Sequence, residues 1–483
     1  MEHINITGSE NVRPKPEILD ALKRDYPLEA SIADLVDNSI DAKAKKILIR
    51  LNLQKEAIRS LEVIDDGLGI TKNKINCAMQ FAYKRKYKKR DLGMYGVGLK
   101  VASLSHANIL TVFSKSKKNS EVGRQWTTNG ILNSNWKLNI IDSNTVKRFL
   151  EKKYEGLSIS QHATIVRWDD IEDFKRIQTG WEEFIQKTKH KICLHLGLKM
   201  HRLIQGKQIR IMIQLYDEEK KEGGPVEMIE ALSPFPIGQY GEPGYPKKYV
   251  AKIGSSSINL IAHVWKKKSK EQGYRLGGGK VAEHQGFYFF RNGRLITEGG
   301  WCAMLGNSEP HLSLARVEVD IPESANRIIK VQHNKARVDL SAAAVSAFYK
   351  ARSKEGEHFS EYIKKAEEIY RLRKKPKSKV LLFNPGNGFG ENIGKAVKNT
   401  GRYIYGKKIS LDLKKNKNNQ SAIKYNSKNK KITFDAEKNL DIANSSVKRL
   451  VQSLCYFAFS KELSKGIQTN EVLAKIKILN DVL

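Results

Sequence analysis

The segment Asp34–Ala42 constrains the fold of this chain most strongly, because it places acids and an amide inside a run that otherwise predicts a buried helix. Residues three or four apart share a helix face, so Asp34, Asn38 and Asp41 are expected on one side. An unsatisfied buried polar group costs about 1–3 kcal/mol. The pattern therefore predicts a ligand there, and oxygen atoms of this kind suit Mg²⁺, which also keeps waters and phosphate oxygens. The alternative is an acid cluster at a helix N-terminus, favoured by the helix dipole.

A second motif follows the predicted strand 61–64, which runs directly into Asp65, Gly67 and Gly69. A strand that ends in D-x-G-x-G forms a sharp turn, and its glycines let the backbone approach a ligand closely. The carboxylate of Asp65 is expected to point at that ligand.

A third motif is the glycine-rich run of Gly93, Gly96 and Gly98, which opens a helix predicted from residue 101 to 105. Backbone N–H groups at such a helix start bind anions, and Lys100 adds a positive charge. A single loop of this kind is most often an ordinary turn. Three such motifs in order within about seventy residues are much stronger evidence for a binding site than any one of them.

The order helix D-x-x-x-N, strand D-x-G-x-G and loop G-x-x-G-x-G-L-K resembles the GHKL ATPases, which include gyrase B, the ninety-kilodalton heat-shock chaperones, histidine kinases and MutL. The motif L-V-D-N followed by Y-G-x-G-L-K is most similar to the motifs of the MORC branch of this superfamily. The strand with a Gly-Thr pair that completes the superfamily pattern corresponds to Ala163–Trp168, with Ala163 in place of the glycine. The resemblance covers about residues 15–345.

The resemblance implies an α+β fold: a Bergerat-type ATP-binding sandwich, then a transducer-like α/β domain and a small basic α+β C-terminal domain. The predicted domains are residues 1–173 (ATP-binding), 174–345 (transducer-like, carrying a switch lysine), 346–379 (helix and basic linker) and 380–483 (basic C-terminal domain).

The same resemblance implies ATP and Mg²⁺ as ligands. Asn38 would hold Mg²⁺ through its side-chain oxygen. Asp65 would accept a hydrogen bond from the adenine amino group, with Thr164 in support and Gly67 and Gly69 letting the base lie close. Residues from about Lys72 to Arg90 would form a flexible lid. The remaining residues implied to contact the nucleotide are Asp41, Gly93, Tyr95, Gly96, Val97, Gly98, Leu99 and Lys100.

Two catalytic residues are implied. The superfamily has Glu four residues before the Asn, whereas this chain has Asp34, which is one methylene shorter. A misplacement of about 1 Å can cost roughly a hundredfold in rate, so slow hydrolysis is expected. Lys335, in a His-Asn-Lys run similar to that of MORC proteins, would reach the terminal phosphate from the second domain and stabilise its charge. The alternative is an ordinary surface lysine.

The amino-acid composition limits the kinds of partner and the cellular location that the chain is expected to have. The chain has 483 residues, with 86 Lys and Arg against 52 Asp and Glu, a net charge of +34. This excess predicts a polyanionic partner, most simply DNA; the alternative is the Lys-rich composition of an AT-rich genome. Residues 371–431 hold eighteen Lys or Arg against two acids. Four scattered cysteines and the lack of an apolar run of about 18 residues favour a cytoplasmic protein without membrane contact.

Periodicity predicts the main elements. Strands are expected at 46–53, 57–64, 108–114 and 163–168, helices at 29–42, from about 174 through His201 and at 342–373, and a hairpin turn at Asn292-Gly293.

Two functional hypotheses result. The first is a slow GHKL/MORC-like ATPase that dimerises on ATP and acts on DNA as a clamp or remodeller, with partner proteins in restriction or phage defence as the resemblance implies. The second is a chaperone-like or regulatory ATP-sensing subunit of a complex, without direct DNA binding.

Overall fold

The structure, a computed structural model, covers most of the chain from residue 26 to 372 and three strands beyond it. The chain divides into two compact units, residues 1–370 and 371–483. The described residues are 26–55, 57–81, 83, 92, 98–117, 121–133, 136–159, 162–174, 180–254, 256–302, 304–305, 309–325, 328–331, 338–372, 410–414, 423–426 and 431–435.

Helix α1 (Leu28–Asp41) is enclosed by neighbouring elements. Every residue from Ser31 to Asp37 is buried, because the first sheet and two further helices contact this helix. It ends where Lys43 adopts a left-handed conformation, with φ of 68°, which a helix does not continue through. The helix predicted at residues 29–42 is confirmed.

Nine described strands form the first sheet, in the order β5-β4-β3-β6-β2-β1-β7-β8, with β9 also pairing with β7. Only β1 and β7 run parallel; the other pairs are antiparallel. The strands are β1 (Lys46–Gln54), β2 (Ala57–Asp65), β3 (Ala107–Lys115), β4 (Val122–Thr127), β5 (Asn139–Ile141), β6 (Ala163–Ile171), β7 (Arg210–Asp217), β8 (Glu222–Gly223) and β9 (Glu227–Met228).

The predicted strands at 46–53, 57–64, 108–114 and 163–168 are therefore confirmed. The first sheet also reaches beyond the domain boundary expected at residue 173, since β7 to β9 belong to it. Strand β7 lies in register beside β1, from Lys46 opposite Arg210 to Leu53 opposite Asp217.

Helices cover both faces of the first sheet. Because side chains alternate along a strand, Ile47 and Ile49 pack under α1 and α6, whereas Leu48 packs with α5 on the other face. Each such buried aliphatic side chain contributes about 1.5–3 kcal/mol. The helices are α2 (Lys72–Met79), α3 (Gly98–Leu104), α4 (Thr128–Leu132), α5 (Ser143–Leu150), α6 (Trp181–Lys199) and α7 (His201–Gln205).

A second sheet follows, in the order β13-β12-β14-β11-β10-β17, with β12 and β14 parallel. One face carries an aromatic core that includes Phe287 and Phe359. The other face packs Phe290 and Leu295 against Leu198 of α6, which ties this sheet to the first. Its elements and neighbours are β10 (Lys247–Ile253), β11 (Ser256–Val264), α8 (Gln272–Arg275), β12 (Gly286–Arg291), β13 (Arg294–Glu298), β14 (Ala315–Asp320), the separate pair β15 (Ile329–Val331) and β16 (Val338–Leu340), α9 (Ala342–Tyr349), β17 (Arg352–Ser353) and α10 (Phe359–Leu372).

The hairpin predicted at Asn292-Gly293 is confirmed. Both turn residues have positive φ, 49° and 82°, as a two-residue turn between twisted strands requires. This turn brings Arg294 to the start of β13.

Two predicted helices differ from the structure. The helix expected from about residue 174 begins at Trp181, after Gly180 with φ of 70°, and it ends before His201. The single helix predicted at 342–373 is wrong: α9 and α10 are separate. Between them β17 pairs with β10, and Gly356, with φ of 87°, turns the chain back.

The second unit is described only as a small sheet of β18 (Ser410–Lys414), β20 (Lys431–Asp435) and β19 (Ile423–Asn426), in that order. Strands β18 and β20 are parallel. Apolar residues at core spacing also predict a helix over residues 436–465, and these residues lie outside the described part of the chain. Among the helices described, none combines the length and apolar character needed to cross a bilayer. The α+β class is confirmed; the transducer-like and C-terminal domain identities stay predictions.

Candidate functional site

Asp65 ends β2 with its side chain buried. Its Oδ2 accepts a hydrogen bond from Ser39 Oγ at 2.8 Å, and its Oδ1 accepts one from the Gly67 backbone N–H at 2.9 Å. Burial, the largest cause, raises the pKa of Asp65 to about 6. The side chain is therefore an ionised acceptor at neutral pH, fixed by α1 on one side and by its own turn on the other.

The glycines predicted in this turn are required by space. A Cβ on Gly67 would lie 2.8 Å from Asp65 Oδ1 and 2.9 Å from the carbonyl oxygen of Ala42. Gly69 has φ of 68°, and a Cβ there would overlap the Lys115 backbone. The turn is thus packed against the end of α1 and the end of β3.

Thr164 lies beside Asp65, because these two residues are register partners across β2 and β6. Thr164 Oγ1 is 3.0 Å from Ser114 Oγ, which in turn accepts the N–H of Ile70 at 2.8 Å. Hydroxyl groups from three elements therefore surround the Asp65 end of the site. Sequence reasoning named Thr164 but missed Ser39 and Ser114; a serine within an otherwise apolar buried run was the available signal for both.

The three polar residues predicted on one face of α1 have different surroundings. Asp34 is buried, Asn38 is exposed and Asp41 is half-buried. Asp34 Oδ2 accepts a hydrogen bond from the Tyr26 hydroxyl at 2.5 Å, and a Cβ on Gly98 would lie 3.4 Å from the same oxygen. Asp34 therefore borders the start of α3.

Asp41 secures the segment ahead of the glycine-rich loop, since its Oδ1 accepts the backbone N–H of Leu92 at 2.7 Å. The predicted phosphate-contacting residues Gly93, Tyr95, Gly96 and Val97 lie outside the described residues.

The rest of this run, Gly98, Leu99 and Lys100, forms the first turn of α3. The Lys100 ammonium is buried and donates to the carbonyl oxygen of Ala78 in α2 at 3.1 Å. Burial lowers the pKa of Lys100 to about 8. Lys100 thus ties α3 to α2, and its predicted contact with phosphate stays a prediction.

The segment predicted as a flexible lid begins with a packed helix. In α2, Asn76 accepts a hydrogen bond from Arg124 at 2.8 Å, and the Met79 carbonyl accepts one from the Trp126 indole at 3.0 Å. Ile75 and Met79 are buried. Residues 82 and 84–90 of the predicted lid lie outside the described residues.

An ion pair that sequence reasoning missed reaches α1 from the second sheet. Arg294 of β13 is 3% exposed, and its Nε donates to Asp37 Oδ1 at 2.7 Å. One terminal nitrogen lies 3.9 Å from Asp34 Oδ1. Two acids on a buried helix were a signal that a cation must approach them. Lys335, the predicted second catalytic residue, lies outside the described residues, between the paired strands β15 and β16.

The residues at the exposed edge of α1 fit a magnesium ion that is shared with phosphate. Asn38 offers a single amide oxygen toward solvent. Within the described residues, no three His, Cys, Asp or Glu side chains converge as a metal site. Mg²⁺ usually takes one or two protein oxygens and completes its shell with water and phosphate, so one amide oxygen agrees with that donor set.

Comparison with known proteins agrees with this geometry. Residues 26–164 match the family described as "Histidine kinase-, DNA gyrase B-, and HSP90-like ATPase". This stretch contains α1, the Asp65 turn and the strand that ends beside Thr164. The first unit therefore carries a GHKL-type domain, the domain of ATP-binding ATPases and kinases.

A particular relative points to the same superfamily. The chain is 33% identical over 99 residues to the DNA mismatch repair protein MutL of Lactococcus lactis subsp. lactis (strain IL1403). The match covers 19% of this chain and 15% of that relative. It supports the GHKL superfamily and does not distinguish the MORC branch within it.

Proposed function

We propose that this chain binds ATP with Mg²⁺, hydrolyses it slowly to ADP and phosphate, and uses the nucleotide to control a clamp or remodeller that acts on DNA. The arrangement that carries this proposal is Asp65, with Ser39, Gly67 and Thr164 around it, at the C-terminal end of α1, and Asp34 near the middle of the same helix. Asp34 and Ser39 are five residues apart, about 7.5 Å along the helix axis. One helix therefore contributes to both ends of an elongated ligand.

At the adenine end, Asp65 accepts a proton of the adenine amino group. Ser39 and the Gly67 N–H already orient both carboxylate oxygens, so the acceptor is preorganised and little ordering is required on binding. Thr164 and its partner Ser114 supply neighbouring hydroxyls. A buried acceptor of this kind discriminates strongly against a base that cannot donate to it.

At the phosphate end, Asn38 and Asp41 border the ligand from α1, and Gly93, Tyr95, Gly96, Val97, Gly98, Leu99 and Lys100 are proposed to wrap the phosphates. Mg²⁺, held through Asn38, neutralises phosphate charge when it is bound. Two roles are proposed for Lys100. Either its ammonium leaves the Ala78 carbonyl oxygen and contacts phosphate, or it keeps that hydrogen bond and holds α2 beside the ligand.

In the hydrolytic step, a water oxygen bonds to the γ phosphorus while the bond to the bridging oxygen of ADP breaks. Asp34 takes the proton of that water, and inorganic phosphate and ADP leave. General bases of this kind contribute about 10²–10⁴ in rate. Slow turnover follows from the short side chain of Asp34 and from the contacts that Tyr26 and Arg294 make with its two oxygens.

Lys335 is proposed to approach the terminal phosphate from the second domain. An ammonium there stabilises the charge of the transferring group. Its contact exists only while that phosphate is present, so ATP and ADP favour different states of the chain. We propose that the ATP-favoured state promotes a homodimer.

The DNA part of the proposal rests on charge. The net charge is +34, and residues 371–431 carry eighteen Lys or Arg against two acids. Neutralising phosphates with such side chains releases counterions, which makes binding steeply salt-dependent. A role in restriction or phage defence, together with partner proteins, stays a prediction from the MORC-like sequence motifs.

The test is single-turnover ATP hydrolysis by the full chain, with and without duplex DNA, across a salt series. We expect DNA to stimulate turnover and salt to remove the stimulation. Replacing Lys415 and Lys417 with Gln should weaken the response, whereas the same change at the exposed Lys187 and Lys220 should not. A response independent of DNA would favour a regulatory ATP-sensing subunit, and no turnover under any condition would contradict the ATPase proposal.

A further inference from the structure

Arg294 is a buried cation that belongs to the second sheet but contacts helix α1. It is the first residue of β13, directly after the Asn292-Gly293 turn. Its Nε donates to Asp37 Oδ1 at 2.7 Å, and another nitrogen donates to the Leu295 carbonyl at 3.2 Å. The remaining terminal nitrogen lies 3.9 Å from Asp34 Oδ1. A single guanidinium therefore connects β13 with two acids of α1.

This guanidinium keeps its charge. Burial lowers the pKa of Arg294, but the charges of Asp37 and Asp34 outweigh burial and raise it. A buried pair of this kind adds little net stability compared with apolar residues of equal size. Stability alone therefore gives no reason for a charged contact at this place.

Asp34 is contacted on both carboxylate oxygens from outside its own helix. Tyr26 donates to Oδ2 at 2.5 Å, and Arg294 lies near Oδ1. Burial and then the charge of Asp34 raise the pKa of the Tyr26 hydroxyl, so it stays protonated as a donor. Two residues from outside α1 therefore take part in orienting the Asp34 carboxylate.

Strand β13 makes a second charged contact, with helix α6, that does not involve Asp34. Lys199, at the end of α6, lies 3.2 Å from Glu298 and 3.3 Å from the Ile296 carbonyl oxygen. Helix α6 packs on both α1 and β13. A displacement of the second sheet therefore moves Arg294 relative to α1, and the Lys199 pair offers a control at the same junction.

We propose that Arg294 is a positioning residue through which the second sheet sets the orientation of Asp34, so that the position of this sheet regulates ATP hydrolysis and leaves ATP binding unchanged. This inference rests on the proposed function of Asp34 as general base. Asp37 anchors the guanidinium at the shorter distance, and the looser 3.9 Å contact transmits the position of β13 to Asp34. A shift of about 1 Å at a reacting group changes rates by about a hundredfold.

The experiment compares Arg294→Lys with Glu298→Gln in the full chain. Both disturb one charged contact of β13, but only Arg294 borders Asp34. ATP affinity, single-turnover rate and thermal midpoint are measured for each. We expect Arg294→Lys to retain affinity within about threefold and lose at least about tenfold in rate, while Glu298→Gln keeps its rate within about twofold.

Asp37→Glu provides a second variant if Arg294→Lys does not fold, because it keeps both charges and displaces the guanidinium by one methylene. It should also lower the rate with affinity retained. The inference is overturned if Glu298→Gln loses as much rate as the Arg294 or Asp37 variant does. It is also overturned if the Arg294 and Asp37 variants both keep the wild-type rate. Absence of ATP binding by the wild type, or wild-type turnover in Asp34→Asn, would instead overturn the proposed function.

Discussion

The two ends of the candidate site are held in different ways. Asp65, at the proposed adenine end, is fixed by Ser39 and by the Gly67 N–H, all within the first sheet and the helix that covers it. Asp34, at the proposed hydrolytic end, is contacted by Tyr26 ahead of that helix and by Arg294 of the second sheet.

This difference separates recognition from turnover. The proposed acceptor for the base is complete within the first sheet and the helix that covers it, so the proposed nucleotide binding would require no rearrangement there. The proposed base depends on a residue more than 250 positions away in sequence, so its geometry depends on the relation of two sheets. Binding is then a local property, and hydrolysis is a property of the assembled first unit.

The largest expected effect separates the two ends directly. Asp34→Asn should lower the single-turnover rate by about 10²–10⁴-fold, because an amide cannot take the proton of the attacking water. ATP affinity should stay within about threefold of wild type. Glu29→Gln, in the first turn of the same helix, serves as the control and should keep the wild-type rate. A wild-type rate in Asp34→Asn would remove it as the base.

At the other end, Asp65→Asn should weaken ATP binding by about a hundredfold, measured by fluorescence competition. An asparagine has one acceptor oxygen in place of two, so Ser39, the Gly67 N–H or the adenine amino group loses its partner. Leaving such a group unpaired costs about 1–3 kcal/mol. Asp66→Asn, at the adjacent acid, should bind ATP as wild type does; equal losses in both variants would contradict the assignment.

Asn38→Ala should remove the magnesium-dependent part of ATP affinity, a loss of about tenfold, since one ligand of the ion disappears while Asp65 is intact. Chelating Mg²⁺ with EDTA should weaken binding to the wild type and have little effect on the variant. If EDTA weakens binding to both proteins equally, Asn38 does not hold the metal.

The last expected effect concerns the pH dependence of stability. The folded pKa of Asp65, about 6, lies above its ordinary value of 3.8, so its stabilising contribution is complete below pH 3.8 and is lost as pH rises through about 6. The loss corresponds to about 3 kcal/mol at most. The thermal midpoint of the wild type, relative to Asp65→Asn, should therefore fall between pH 4 and 6.5. If the difference between the two thermal midpoints does not change with pH, ionisation of Asp65 does not destabilise the fold.

Local patterns in the sequence predicted many of the strands and turns of the fold. Alternating apolar residues located β1, β2, β3 and β6, and Asn292-Gly293 located a hairpin, because these signals act between close neighbours. The helix at 342–373 was predicted as continuous because a periodic pattern does not show that Arg352 and Ser353 pair with β10.

The site shows the same limit. Asp65 and Thr164 were inferred together, and the register of β2 and β6 places them side by side. The Arg294 contact was not predicted, since no local pattern relates β13 to Asp37. Lys100 was expected near phosphate, and its hydrogen bond with Ala78 depends on how α2 packs, which the sequence does not display.

The most direct test is calorimetric titration of the full chain with Mg²⁺ and a non-hydrolysable ATP analogue. The account predicts saturable heat at about one nucleotide per chain for the wild type and for Asp34→Asn, and little heat for Asp65→Asn. No heat with the wild-type chain, or undiminished heat with Asp65→Asn, would contradict it.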